Sequence, residues 1–207
     1  LNNPLLNILI KIPGILIGIT FHEFAHGLIA YSLGDKTPKR EGRLTLNPIA
    51  HIDPIGLLLL FFINFGWAKP IHTNPSSFKN RKKAMIMISI MGPIANLLVA
   101  VLFTAILKII SSYNLSVDKY YILYQIINYG ILINIILAVF NLIPIPPLDG
   151  SKILFNLIPP RTYFKIIQYQ YILQIVLIVL LLMNVISKIL DPIVWSIYEF
   201  LTKIFGF

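Results

Sequence analysis

The stretch ILIGITFHEFAHGLIAYSL, Ile15–Leu33, decides how this chain is to be read. It is an apolar, helix-forming run, yet it carries His22, Glu23 and His26 near its centre. Extended back to Leu5, the run is long enough to cross a bilayer as one helix, because about 20 apolar residues at about 1.5 Å each suffice. Ionisable side chains at such depth are costly and are kept where they do chemistry.

The whole chain shares that character. Of 207 residues, 57% are hydrophobic and only 12% charged, and the mean hydropathy is +0.81. A soluble domain is about a quarter charged, so the composition is that of an integral membrane protein. The first apolar run lacks a basic leader and a small-residue cleavage site, and it reads as a retained span. With no cysteine, disulfides and thiolate metal sites are excluded, and His, Asp and Glu are left as the strong ligands. The net charge of +9, from 17 basic and 8 acidic residues, would suggest nucleic acid in a soluble protein. Here it fits basic loops facing an anionic cytoplasmic leaflet.

These patterns predict an all-α polytopic helical bundle forming a single domain over 1–207. Spans are expected at about 5–33, 84–110, 120–142 and 164–185, with a tail helix over 191–207 lying on or partly in the membrane. Between the first two spans, Lys36, Lys39, Arg40 and Arg43 form one basic cluster, and Lys69, Lys79, Arg81, Lys82 and Lys83 form another. Both clusters favour the cytoplasm. The apolar run Leu57–Phe65 between them is shorter than the roughly 17 residues a spanning helix needs, so 49–66 is expected to re-enter or to pack as a short element. In RLTLNP, Arg43, Thr45 and Asn47 alternate with Leu44 and Leu46 as a short strand would, a plausible edge for an unwound substrate.

FHEFAHG carries the chemistry. Histidines at i and i+4 share a helix face, so His22 and His26 can bind one zinc ion, and Glu23 beside them can serve as general base toward the water that zinc activates. A catalytic zinc needs a third protein ligand. Asp149 sits where three prolines in FNLIPIPPLDG break the third span, and broken backbone at membrane depth is tolerated where it lines a cavity. His51 and Asp53 of HIDPIG are rival ligands, Asp53 having the alternative role of a helix cap. Asp149 is favoured because the topology brings it to the depth of His22 and His26. Asn96, beside Gly92 and Ala95, could be interhelical glue or part of the site. Asn141 could satisfy backbone groups freed by Pro144, Pro146 and Pro147, and His72 reads as surface polar. A metal-ion transporter or a non-catalytic metal-binding protein could use the same ligands, but neither would need Glu23.

Taken together, HEFAH, GPIAN at Gly92–Asn96 and NLIPIPPLDG at Asn141–Gly150 resemble the site-2 protease family, the intramembrane zinc metalloproteases of peptidase family M50. LNPIAHIDPIG and GWAKPIHTNP look like the small prokaryotic members that lack PDZ and CBS domains. The resemblance implies that His22, His26 and Asp149 hold one Zn2+ per chain, that Glu23 is the catalytic base, and that Asn96 positions substrate or stabilises the oxyanion. It also implies a prokaryotic plasma-membrane enzyme with its active site toward the cytoplasm. Its substrates would be transmembrane segments of membrane proteins or membrane peptide remnants. Ser151 stands where the family commonly has a second glycine.

Overall fold

A computed structural model describes residues 4–63, 66–112 and 117–207. The described residues contain nine α-helices and no sheet: α1 Pro4–Ser32, α2 Thr37–Arg40, α3 Pro54–Ile63, α4 Arg81–Ser112, α5 Val117–Asn141, α6 Asp149–Leu157, α7 Pro160–Ile167, α8 Gln170–Leu182 and α9 Val185–Ile204. Three of the helical runs, Leu6–Ser32, Arg81–Ser112 and Tyr120–Asn141, are long and apolar enough to cross a membrane. The protein is therefore a multi-pass membrane protein, with α1, α4 and α5 packed on one another as its core.

Helix α4 shows how sequence sets these packing faces. Asn80 caps its start, accepting the Lys83 N–H at 3.1 Å, which satisfies one of the free amides of the first turn. Ala84, Ile88, Gly92, Asn96, Val99, Ala100 and Leu107 then form the buried stripe, while Leu98, Leu102 and Ile109 stay exposed on the opposite side. An apolar outer face belongs against lipid rather than water.

The tail helix, expected on or partly in the membrane, packs one face against the bundle. Val194 and Leu201 of α9 join Ala100, Leu107, Ile127, Ile131 and Ile135 in the largest apolar cluster. Tyr198 Oη also donates to Asn128 Oδ1 on α5 at 2.7 Å, so one face of α9 is part of the bundle. The region expected to span as 164–185 holds a bent pair, α7 and α8, meeting at 59°. Arg161, Lys165, Gln168 and Gln170 make α7 and the joint polar, which a straight membrane helix does not favour. Asn184, left-handed at φ 57°, then turns the chain into α9, a conformation Asn tolerates better than most residues.

The alternating segment 43–47 forms no strand. Arg43 N–H is taken by Pro38 O at 2.8 Å, Thr45 Oγ1 accepts from Asn47 N–H, and Asn47 caps a short 3-10 turn, Pro48–His51. These local side-chain bonds compete with a ladder and win. The pairing that does form is one antiparallel bridge, Ile52 with Ala68, reinforced by Lys69 N–H to His51 O at 2.9 Å. Asp53 takes the capping role: its Oδ1 accepts from Ile55 N–H and Gly56 N–H, both at 2.9 Å. The short apolar element is thus the helix α3, while residues 64 and 65, and residues 113–116 of the loop expected around 111–119, lie outside the described residues.

Candidate metal centre

His22, Glu23 and His26 occupy the second half of α1 and are all buried. Asp149 reaches them because α5 stops at Asn141 and the chain folds back through Pro144, Pro146 and Pro147 before α6 begins at Asp149 itself. That return is tight. A Cβ at position 150 would lie 2.1 Å from Leu142 O, so only glycine fits beside Asp149.

His22 Nε2, His26 Nε2 and Asp149 Oδ2 form a compact triangle, with separations of 3.0, 3.0 and 2.9 Å. Among the described residues, His22, His26 and Asp149 are the group able to converge on a metal ion. The hydrogen bonds behind the rings say what these atoms are. Asn96 Nδ2 donates to Gly18 O at 2.9 Å; a carbonyl can only accept, so the Asn96 amide is fixed with Oδ1 toward His22 Nδ1 at 2.7 Å. His22 Nδ1 must then carry the proton, leaving a lone pair on Nε2. Similarly, His26 Nδ1 faces Ile88 O at 2.7 Å, which makes it the donor and frees its Nε2. With both rings neutral, two imidazole lone pairs and a carboxylate oxygen thus point at one buried locus. A cation resolves that repulsion, and spacings near 3 Å suit ligands held at about 2.0–2.2 Å from zinc.

The outer contacts organise the rest. Lys152 Nζ donates to Asp149 Oδ1 at 2.8 Å, leaving Oδ2 facing the two imidazoles. Glu23 Oε2 accepts the Ile71 N–H at 2.9 Å, which orients the carboxylate and leaves its other oxygen for work. Gly92 lies under the rings: a Cβ there would be 2.5 Å from His26 Nε2 and 2.6 Å from His22 Cε1. A cavity of about 520 Å³ opens onto the centre, lined among others by Ile19, Met85, Ser89, Phe140 and Leu177 and covered by residues of the 66–73 segment.

The covering segment is pinned at few points. Arg43 Nη2 donates to Lys69 O and Pro70 O, and Asp35 Oδ2 accepts the Asn74 N–H at 2.6 Å. Asp35 Oδ1 takes the Thr37 N–H. Burial pushes the Asp35 carboxyl up, but the bonds from Thr37 and Asn74 and the charge of Arg40 outweigh it and hold the group below the ordinary carboxylate value.

Neither rival ligand joins the centre. His51 Nε2 is spent on Thr45 O at 2.9 Å, and Asp53 caps α3. His72 is exposed and pairs with Glu41 at 3.2 Å. Asn141 Nδ2 bonds Leu137 O on its own helix and gives nothing to the proline turn. Sequence reading missed Asn134, which is fully buried and accepts from Asn96 Nδ2 at 3.0 Å. A lone asparagine in the apolar run ILINIILAV is the same kind of signal that exposed HEFAH. Lys152, Asp35 and Arg43 gave no such signal, since charges in polar turns are ordinary.

The profile of peptidase family M50 matches residues 117–184. Over 194 residues the chain is 37% identical to the Bacillus subtilis protein YwhC, provisionally named a zinc metalloprotease, covering 93% of this chain and 89% of that one. Rip2 of Mycolicibacterium smegmatis, named in the same way, is 26% identical over 93% of this chain and 74% of its own length. Rip2 of Mycobacterium tuberculosis is 29% identical over 73% of this chain and 58% of its own. No solved structure matches significantly. The chain belongs to peptidase family M50, the site-2-protease-like zinc metalloproteases. With a buried His-His-Asp cluster suited to one metal ion, it is a zinc-dependent protease of the membrane.

Proposed function

We propose that this enzyme hydrolyses peptide bonds inside transmembrane segments of membrane-anchored substrates, for regulated release of a domain or for clearance of peptide remnants. The observation that carries this is the convergence of His22, His26 and Asp149 within the three-helix core, in a chain whose surroundings are built for lipid. His22 Nε2, His26 Nε2 and Asp149 Oδ2 would hold one zinc. Zinc, when bound, polarises the scissile carbonyl and acidifies water, which makes amide hydrolysis feasible near neutral pH.

The chain's own groups do the remainder. Glu23, anchored through Oε2 by the Ile71 amide, takes the proton of the attacking water and delivers it to the leaving amine. Lys152 keeps Asp149 to a single ligating oxygen. Asn96 has its Oδ1 on His22 and its amide hydrogens on Gly18 O and Asn134 Oδ1. It therefore has no free hydrogen for an oxyanion, and its role is to orient His22. A helical substrate hides its peptide bonds in its own ladder and must unwind to enter the cavity. Both basic clusters flank the centre's end of α1 and α4, which supports a site facing the cytoplasm of a prokaryotic cell.

The test is Glu23→Gln. Glutamine keeps the volume and can still accept from Ile71, but it cannot take a proton. We expect zinc content and folding to match wild type while cleavage of a membrane peptide in liposomes falls by roughly 10²-fold to 10⁴-fold. Cleavage by the variant at the wild-type rate would remove Glu23 from the mechanism. A wild-type protein that retains zinc but cuts no apolar segment in a peptide library would overturn the proposal as a whole.

A further inference from the structure

We propose that the Ser89 hydroxyl donates to the carbonyl oxygen of the scissile bond and stabilises the oxyanion; this deepens the protease reading above and rests on it. Ser89 lines the same cavity as His22, Glu23, His26 and Asp149. It is fully buried, and its Oγ has no hydrogen-bond partner.

That vacancy is out of keeping with the other hydroxyls in the long helices. Thr20 bonds Leu16 O at 2.6 Å, Thr104 bonds Ala100 O at 2.8 Å, and Ser111 and Ser112 bond Leu107 O and Lys108 O, each at 2.9 Å. Each folds back on the carbonyl one turn earlier, the usual solution for a helical hydroxyl in an apolar setting. Ser89 does not. A buried polar atom left unpaired calls for a partner that the protein itself does not supply.

Its position says which partner. Ser89, Gly92 and Asn96 follow at i, i+3 and i+7 on the inner face of α4. Asn96 fixes His22, Gly92 leaves room for both rings, and Ile88, the residue before Ser89, receives His26 Nδ1–H through its carbonyl. Ser89 therefore lies on the helix turn that also anchors a proposed zinc ligand. Pro93, four residues on, offers no N–H to the Ser89 carbonyl, so the helical ladder is already interrupted at this turn.

The other buried donors around the centre are committed. His22 and His26 spend their Nδ1–H groups on Asn96 and Ile88, and Asn96 spends both amide hydrogens. The Ile71 amide is on Glu23, and Lys152, which is exposed rather than buried, points one N–H at Asp149 Oδ1. An oxyanion needs a donor that is pre-placed and not already used in the resting enzyme. When water adds to the carbonyl carbon, the C=O π pair moves to oxygen, and Ser89 O–H is the donor positioned for it. Glu23 takes the water proton and passes it to the amide nitrogen as the C–N bond breaks, so that peptide and water become acid and amine. Ser89 only donates a hydrogen bond and is unchanged at the end.

The experiment compares wild type, Ser89→Ala and Ser89→Thr in detergent, reading zinc content, turnover of an apolar transmembrane peptide, and binding of a phosphinic peptide by calorimetry. The phosphinate is tetrahedral and anionic, so it carries an oxygen where the oxyanion forms. Ser89→Ala should retain zinc, lower kcat by roughly 10²-fold with KM unchanged, and weaken phosphinate binding by a similar factor. Ser89→Thr, which keeps the hydroxyl, should restore both. Wild-type kcat and phosphinate affinity in Ser89→Ala would overturn the proposal, as would loss of zinc in that variant, since the residue would then be structural. If the wild type holds zinc and binds phosphinate but cleaves nothing, the protease reading fails while the phosphinate comparison still decides Ser89.

Discussion

The wall behind the metal centre and the segment that covers it are built on opposite terms. Behind the centre, the long helices α1, α4 and α5 are joined by a polar chain that runs from His22 through Asn96 to Asn134. Asn134 Nδ2 ends on Gly130 O at 2.8 Å and Gly14 O at 3.3 Å. Every direction in that chain is set by a backbone carbonyl at its far end. In front, residues 66–74 contain no regular element, and the segment is held by isolated contacts: one bond each to Asp35, His51 O and Glu23, two from Arg43, and the exposed His72–Glu41 pair. On the proposed function, rigid geometry lies where atoms must be placed for chemistry, and weakly held backbone lies at the mouth of the cavity that a substrate would have to enter.

The largest effect that would break this contrast is at the ligands. Asp149→Ala removes the anionic corner of the triangle and leaves Lys152 and two imidazoles without it. We expect zinc to be absent from the purified variant and cleavage to be abolished, as metal analysis and the peptide assay would report. Zinc retained at one ion per chain in Asp149→Ala, with loss in Asp53→Ala, would return the ligand role to the HIDPIG segment.

A smaller effect separates the wall from mere packing. Asn134→Leu keeps the branched shape but takes away the acceptor for one Asn96 hydrogen, so the Asn96 amide hydrogens are held by Gly18 O alone. Loss of an outer partner of a metal ligand typically costs 10-fold to 100-fold in affinity. Zinc competition with a chelator should show a drop at or below that range for Asn134→Leu and a larger one for Asn96→Ala. Equal zinc affinity in all three proteins would show that the chain does not orient His22.

These differences follow what the sequence could and could not express. HEFAH declared itself because the i, i+4 spacing and the helix are one local pattern, and Asp149 because three prolines mark a break in an apolar run. Three long spans were readable from length and hydropathy alone. The conformation of 43–47 was not, since RLTLNP alternates like a strand while its Thr45 and Asn47 side chains bond the neighbouring backbone instead. Nor was the bend between α7 and α8, where length matched a span but polar residues at the joint decided the outcome. The roles of Asn134 and Ser89 depend on which helix faces which, and periodicity within one helix carries no such information.

The smallest effect concerns the cover and is set by pH. Asp35 is fully buried and accepts the Thr37 and Asn74 amides, and its carboxyl is held below the ordinary value. A group with a lowered folded pKa contributes stability that is complete above its unfolded value, near 4, and is lost as pH falls through the folded one. The Asn74 anchor should therefore be intact at neutral pH and weaken only below about pH 4. Hydrogen exchange of amides 71–74, corrected for the intrinsic rate, should rise on acidification below that point in the wild type. In Asp35→Asn it should already be faster at pH 7 and insensitive to pH, because a neutral amide accepts less strongly than a carboxylate, by about 1 kcal/mol per bond. Exchange behind the centre, at α4 and α5, should be the same in both proteins at pH 7. If it rose together with 71–74, cover and wall would be one cooperative unit, and the division drawn between them would not hold.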